Sequence, residues 1–302
     1  MSGPADSAEA APGASPDGLP PLREVIREHG LSAQKSLGQN FILDLNLTRR
    51  IARAAAPLEG STVVEVGPGP GGLTRALFLE GVDKVVAVER DERCRPALDA
   101  IALRYPGRLD VRFDDALGMN WPELLAGNKG RVVIAANLPY GIATRLLVGW
   151  LETEPWPPWW HGMVLMFQKE VAERIVSAPA TKAYGRLAIL SQWRCTCKIV
   201  QTLKAEAFTP PPKVASAVVH FLPRPTPEPA CSVLTLGRVT GAAFGQRRKM
   251  LRTSLRALGV DIEHLLTAAR ISPEVRAEQI SVDGFASIAA ALDRMQGRHG
   301  SD

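Results

Sequence analysis

Glu65-Val66-Gly67-Pro68-Gly69-Pro70-Gly71-Gly72-Leu73 is the stretch on which the fold turns. It completes residues 62–66, a run rich in β-branched side chains, and leads into a helix-length segment. Gly67, Gly69 and Gly72 satisfy the spacing G-x-G-x-x-G, and Glu89 closes the next apolar run 22 residues after Gly67. At a strand-to-helix turn, glycines let a cofactor lie against the backbone. A carboxylate at the end of the next strand accepts hydrogen bonds from both hydroxyls of a ribose. Any nucleoside-containing cofactor is served, so a nicotinamide dinucleotide and S-adenosylmethionine both stay open on this pattern. Pro68 and Pro70 favour the second, because they delete two backbone N–H donors from a loop that would otherwise cradle a pyrophosphate. A sulfonium cofactor has no phosphate and loses nothing.

Outward from the loop the rhythm repeats. Residues 84–88, 109–113, 132–136 and 163–167 are further short apolar or β-branched runs, most of them separated by helix-length segments. Strands alternating with helices predict βαβ units and a parallel sheet. A near-continuous apolar run such as 132–136 suits a sheet covered on both faces. Residues 196–203 and 215–222 alternate in the manner of an antiparallel edge pair. Pro223, Pro225, Pro227 and Pro229 then read as a linker. Beyond them only helical patterns recur, over residues 233–244, 247–258, 262–269 and 284–295. Upstream, residues 22–29 predict a short helix ending at Gly30, and Leu47, Ile51, Ala52 and Ala55 recur at helical spacing. Residues 1–21, rich in Ala, Gly, Pro and Ser, are expected to be a disordered tail. The expected architecture is a doubly wound, Rossmann-like α/β domain over residues 22–225 and a small all-α domain over 230–302.

Composition narrows the function classes. With 46% hydrophobic and 22% charged residues, the chain is neither disordered as a whole nor a membrane protein; no apolar run approaches the roughly 18 residues a span needs. Four cysteines without a signal-peptide pattern do not make a disulfide framework. Cys195 and Cys197 have no second pair nearby, so no metal site is expected. The net charge of +5 is mild but unevenly placed: residues 204–256 alone carry +7. A block of that kind points to a polyanion partner.

Two further motifs bear on chemistry. The run 109–113 ends at Asp114-Asp115-Ala116, where a carboxylate lies outside the carboxyl end of a strand. Asp115 is placed either to accept from an adenine amino group or to cap the following helix. After residues 132–136 comes Asn137-Leu138-Pro139-Tyr140. The lone pair of an exocyclic base amine is delocalised into the ring, so methylating it requires the nitrogen to be pulled toward a tetrahedral shape. The side-chain oxygen of Asn137 and the backbone carbonyl of Leu138 or Pro139 supply acceptors for its two N–H groups. Pro139 fixes the backbone, and Tyr140 offers a ring to an unstacked base.

Together these stretches resemble the KsgA/RsmA family of small-subunit ribosomal RNA adenine dimethyltransferases, related to the Erm enzymes and mitochondrial homologues. The resemblance runs from about Leu22 to about Gly297. It rests on Ser36-Leu-Gly-Gln39-Asn40-Phe41-Ile42, Glu65-Val-Gly67-Pro-Gly69, Asp115-Ala116, Asn137-Leu-Pro-Tyr140, Gln168-Lys169-Glu170-Val171, Phe208-Thr-Pro-Pro-Pro-Lys213-Val and Phe244-Gly-Gln-Arg-Arg-Lys249. It implies a class I S-adenosylmethionine-dependent fold. Asn40, Ile42, Gly67, Glu89, Asp115 and Asn137 are implied to hold that cofactor, with Gln39 and Gly69 beside them. Asn137 to Tyr140 are implied to hold the target adenine, and Phe208 to cover its other face. One departure is Ala215, where the family usually has Asp; it places the rigidity of the loop near Phe208 in question.

The basic block ends in Gln246-Arg247-Arg248-Lys249-Met250-Leu251-Arg252 and continues to Arg256. On one helix, Arg248, Arg252 and Arg256 align at i, i+4, i+8 opposite Leu251, Leu255 and Leu258. Beside an adenine-methylating site such a stripe, with Arg247, Lys249 and Lys213, reads as a phosphate clamp on RNA. Trp156, Trp159 and Trp160 are expected to pack inward rather than stack bases.

The reading is an S-adenosylmethionine-dependent enzyme that dimethylates N6 of two adjacent adenosines in the 3′-terminal hairpin of 16S ribosomal RNA. It is expected to be cytoplasmic and monomeric, with the small ribosomal subunit as partner and no metal. The alternatives are an Erm-like 23S enzyme, an RNA-binding assembly factor in which methylation is secondary, and a nicotinamide oxidoreductase motivated by the glycine pattern alone.

Overall fold

A computed structural model describes residues 15–34 and 38–297. In chain order the first elements are α1 (Leu22–Glu28), β1 (Phe41–Ile42), α2 (Leu45–Arg53), β2 (Ser61–Val66), α3 (Gly72–Leu79), β3 (Lys84–Glu89) and α4 (Arg95–Arg104). Next come β4 (Leu109–Phe113), α5 (Trp121–Leu124), β5 (Arg131–Ala136), α6 (Tyr140–Leu151), β6 (Gly162–Gln168), α7 (Lys169–Ile175) and α8 (Arg186–Arg194). The last are β7 (Cys195–Leu203), β8 (Phe208–Thr209), β9 (Ser216–Pro223), α9 (Val233–Gly245), α10 (Leu251–Ser254), α11 (Ile262–Ala268) and α12 (Val282–Met295). Two compact units share the chain: Met1–Pro139 with Ala205–Lys213, and Tyr140–Lys204 with Val214–Asp302.

In the first unit the strands lie in the order β4-β3-β2-β5, all parallel. Val64 stands opposite Val86 on one side and Ile134 on the other, and the interiors of β2, β3 and β5 are buried on both faces, as their apolar runs require, whereas the edge strand β4 is only half-buried. The chain runs outward from β2 through β3 to β4 and then returns to the far side of β2 as β5. The direction therefore reverses between β2 and β5. In an open parallel sheet a ligand sits outside the carboxyl ends at such a switch point. Here those ends are Val66 and Ala136, leading into Gly67 and Asn137. Alongside, α2 is capped by Asp44, whose carboxylate accepts from the backbone N–H of Asn46, and it buries Leu47, Ile51 and Ala52. β1 and β8 pair antiparallel, Phe41 opposite Thr209 and Ile42 opposite Phe208.

Part of the expected tail is ordered. Residues 1–14 lie outside the described residues. Asp17, however, is buried and paired with Arg75 of α3 at 2.6 Å, and the backbone carbonyl of Pro20 accepts from the same guanidinium. Low local hydrophobicity suggested disorder; a partner 58 residues away along the chain supplies the order.

In the second unit β9 lies between β6 and β7, antiparallel to both. Its helical core unites Ala188, Ile189 and Trp193 of α8 with Leu236 and Val239 of α9 and Phe285, Ile288 and Leu292 of α12. That core thus draws on residues before the proline linker as well as after it. The tryptophan loop turns inward: Trp160 is buried, and Trp156 donates from Nε1 to the carbonyl of Arg224 at 2.7 Å.

The helix expected over residues 247–258 does not form as one element. α9 ends at Gly245, residues 246–250 make a turn, α10 spans Leu251–Ser254, and Leu255–Leu258 is a 3₁₀ turn. Tertiary pairing overrides the helical pattern here. Met250 bridges to Arg276, the N–H of Leu251 donates to Val275 O at 2.8 Å, and that of Arg252 to Pro273 O at 3.1 Å. Leu251 and Leu255 are buried as the pattern required. Arg248, Arg252 and Arg256 are not a stripe on one helix.

Candidate active site

The glycine loop connects β2 to α3 under tight steric limits. Gly69 has φ +55°, and a side chain there would begin 3.0 Å from the Phe41 ring. Gly71, outside the three-glycine pattern, has φ +88°, and its Cβ would lie 2.1 Å from Ile101 Cδ1. The left-handed backbone conformation favours glycine at Gly71, and any side chain there would displace Ile101 as well.

Glu89, at the end of β3, faces this loop. Its Oε2 accepts from the N–H of Gly69 at 2.9 Å, and its Oε1 accepts from Arg90 and Asp91 N–H groups, each at 2.8 Å. Burial pushes its carboxyl above the usual carboxylate range while these N–H bonds pull the other way. Of the roughly four acceptor positions on a carboxylate, backbone amides thus occupy three. One remains for a ribose hydroxyl, where the pattern alone suggested two. Asp91 extends the arrangement. Arg93 beside it holds its carboxyl below the ordinary range, and Gln39 donates to it from Nε2 at 2.9 Å.

Asn137 follows β5 directly. Its Nδ2 donates to the backbone carbonyl of Asn40 at 3.0 Å, which leaves Oδ1 as the acceptor it can offer. Pro139 lies against the loop as well: a side chain on Gly67 would begin 3.6 Å from Pro139 Cδ. Tyr140 opens α6, and its hydroxyl is 2.6 Å from Ser216 Oγ. Leu138 is buried. Phe208 is also buried, at 3% exposure, opposite Ile42. Asp115 caps the turn after β4, its Oδ1 accepting from Leu117 N–H at 3.0 Å; Oδ2 lies 3.9 Å from Arg90. Gln39, Asn40, Ile42, Gly67, Gly69, Glu89, Asp115, Asn137 and Phe208 all fall in the first unit. Contacts link them around the ends of β2, β3 and β5.

This set fits a nucleoside cofactor without phosphates. Its loop lacks N–H groups at Pro68 and Pro70, glycines leave room at the backbone, and a fixed carboxylate ends the next strand. The model for ribosomal RNA adenine dimethylase matches residues 30–294.

The chain belongs to the ribosomal RNA adenine dimethylase family.

It is 60% identical to the "Ribosomal RNA small subunit methyltransferase A" of Xanthobacter autotrophicus over 94% of this chain and 98% of that protein. Its identity to the protein of the same name from Bradyrhizobium sp. (strain ORS 278) is also 60%, over 91% and 96%. In fold it is similar to a dimethyladenosine transferase from Plasmodium falciparum, with TM-score 0.68, 24% identity and coverage of 82% of this chain and 96% of that one. The 23S rRNA methyltransferase ErmE gives TM-score 0.63 at 24% identity, over 84% and 100%.

Within this adenine dimethylase-family chain, the basic residues separate by environment. Lys213, Arg248, Lys249, Arg252 and Arg256 are exposed. Arg247 is tied down, its Nε donating to Glu278 at 2.9 Å and Nη2 to Thr181 O at 3.3 Å. The loop at Ala215 is held by its backbone: the N–H of Lys169 donates to Ala215 O at 2.9 Å, and Ser216 pairs with Gln168. Among the described residues no cluster of side chains is arranged to hold a metal, and no helix is long and apolar enough to cross a membrane. Burial pushes the Cys197 thiol up to about 12, so it packs as a small apolar group.

Glu65 is the residue that motif reading passed over. It is the penultimate residue of β2, is fully buried, and accepts from Thr74 Oγ1 at 2.6 Å. Burial pushes its carboxyl up to about 8. The signal was available in an acid standing within an otherwise apolar strand.

Proposed function

We propose that this chain transfers methyl groups from S-adenosylmethionine to N6 of two adjacent adenosines in the 3′-terminal hairpin of 16S ribosomal RNA. Its substrate in this reading is the small ribosomal subunit or its precursor, and it works in the cytoplasm as a monomer. The bond from Asn137 Nδ2 to Asn40 O carries the reading, because it turns the amide oxygen into the free acceptor directly after β5. The 60% identity to proteins named for the small subunit supports that substrate over a 23S one. Residues 22–225 form the catalytic part and residues 230–302 the RNA-binding part.

When bound, S-adenosylmethionine supplies a methyl group on a sulfonium, which an amine lone pair can attack in line. Gly67 and Gly69 give it access to the backbone, Glu89 accepts from its ribose, and Gln39, Asn40, Ile42 and Asp115 complete its surroundings. Asn137 Oδ1 and the carbonyl of Leu138 or Pro139 accept the two N–H bonds of the adenine amine and localise its lone pair. Tyr140 supports the ring. Phe208 covers the other face, which requires it to turn out of its buried place beside Ile42. The methylated amine is an ammonium and gives its proton to water, so no strong base is required. Catalysis is positioning and hydrogen-bond polarisation.

The exposed cations Lys213, Arg248, Lys249, Arg252 and Arg256 bind phosphates without reading sequence. Incubation of purified chain with labelled S-adenosylmethionine and unmodified 30S particles tests the proposal. Label is expected in 16S RNA and absent from 23S RNA; label confined to 23S RNA, or none, would overturn it.

A further inference from the structure

Arg75 lies in the first turns of α3, just after the glycine loop, and both it and Asp17 are buried. Its Nε donates to Asp17 Oδ2 at 2.6 Å, its Nη2 to Asp17 Oδ1 at 2.7 Å, and its Nη1 to Pro20 O at 2.7 Å. Arg104 of α4 donates from Nε to the backbone carbonyl of Asp17 at 2.8 Å. Leu22, buried at the start of α1, places Cδ1 3.2 Å from where a side chain on Gly72 would begin, beside Ile42 O at 3.0 Å. The neighbouring residue, Thr74, is bonded to Glu65 of β2. Two consecutive residues of α3 are therefore held by buried acids from different parts of the chain.

A buried ion pair is a weak source of stability compared with apolar packing of the same volume, but a bidentate one fixes geometry. Here the element it fixes is the helix whose first turn carries the loop. We propose that residues 15–22 are part of the cofactor site, a strap that positions the glycine loop through Asp17 and Arg75. This rests on the S-adenosylmethionine reading above. Asp17 and Arg75 act as positioning residues, since both side chains are buried and engaged with each other. Linkage is reciprocal, so a strap that favours cofactor binding is itself tightened when the cofactor binds.

Two measurements on the full chain test it. Asp17→Asn is expected to raise the calorimetric Kd for S-adenosylmethionine about tenfold, with kcat at saturating cofactor nearly unchanged. Leu266→Ala, a core truncation in the second unit, serves as control and is expected to lower Tm without moving that Kd. In the unaltered protein, saturating S-adenosylmethionine is expected to slow amide hydrogen exchange over residues 17–22 together with residues 67–75. An unchanged Kd in Asp17→Asn, an equal rise in Leu266→Ala, or exchange over residues 17–22 indifferent to the cofactor would overturn the strap. Unaltered protein that takes up no cofactor would instead overturn the cofactor reading, and the strap with it.

Discussion

Asn137 Nδ2 and the backbone carbonyl oxygen of Asn40 are 3.0 Å apart, joining the residue after β5 to the residue before β1. An amide has one donating and one accepting end, so this bond decides which end faces outward. Asn137→Asp replaces the donor with a second carboxylate oxygen set against the Asn40 carbonyl. The expected result is a loss of kcat of about 10²-fold or more, with Tm lowered by the lost bond to Asn40; steady-state kinetics and a thermal melt check it. Full activity in this variant would end the argument for amine polarisation.

Glu89 separates catalysis from RNA binding. Glu89→Ala leaves the amides of Gly69, Arg90 and Asp91 without their acceptor, at about 1–3 kcal/mol for each group that stays buried and unpaired. Methyl transfer and S-adenosylmethionine binding are expected to fail, while affinity for 30S particles, followed by filter binding, stays at the level of the unaltered protein. Weakened 30S binding would contradict the separation.

Glu65 makes stability fall as pH rises. Its folded carboxyl titrates at about 8 against an ordinary 4.5, so between those values the folded chain holds a proton the unfolded chain has lost. The stabilisation is complete below about pH 4.5 and is lost as pH rises through about 8, on the order of 5 kcal/mol at most. Glu65→Gln has no such proton to lose. Its Tm is expected to rise relative to the unaltered protein between about pH 5 and pH 8, read by calorimetry at several pH values.

The cations divide into two groups. Substituting Arg248, Lys249, Arg252 or Arg256 by Ala is expected to weaken RNA binding and lower the slope of log affinity against log salt by about 1 each. Arg247→Ala breaks the link to Glu278 and is expected to lower Tm as well. A salt titration of binding with a melt of each variant distinguishes them.

What the sequence made legible was whatever is written locally. Residues 109–113 form the strand at the expected bounds, and the glycine loop, Glu89 and Asn137 meet at the switch point that their order implies. What depends on distant partners was hidden. Asp17 stands in a Pro- and Gly-rich stretch whose order comes from Arg75, and Met250 leaves a helical pattern to bridge Arg276. The engagement of three Glu89 acceptor positions by backbone amides is likewise visible only once the loop has folded. Phe208, a covering ring by motif, lies buried because β8 pairs with β1.

The central claim is methyl transfer to adenine N6 in small-subunit RNA, and nucleoside mass spectrometry of 16S RNA tests it most directly. Unmodified 30S particles treated with the purified chain and S-adenosylmethionine are expected to yield N6,N6-dimethyladenosine at two adjacent positions of the 3′-terminal hairpin, and none with Asn137→Ala. Methylation at any other atom or site, or undiminished dimethylation by Asn137→Ala, would contradict the account.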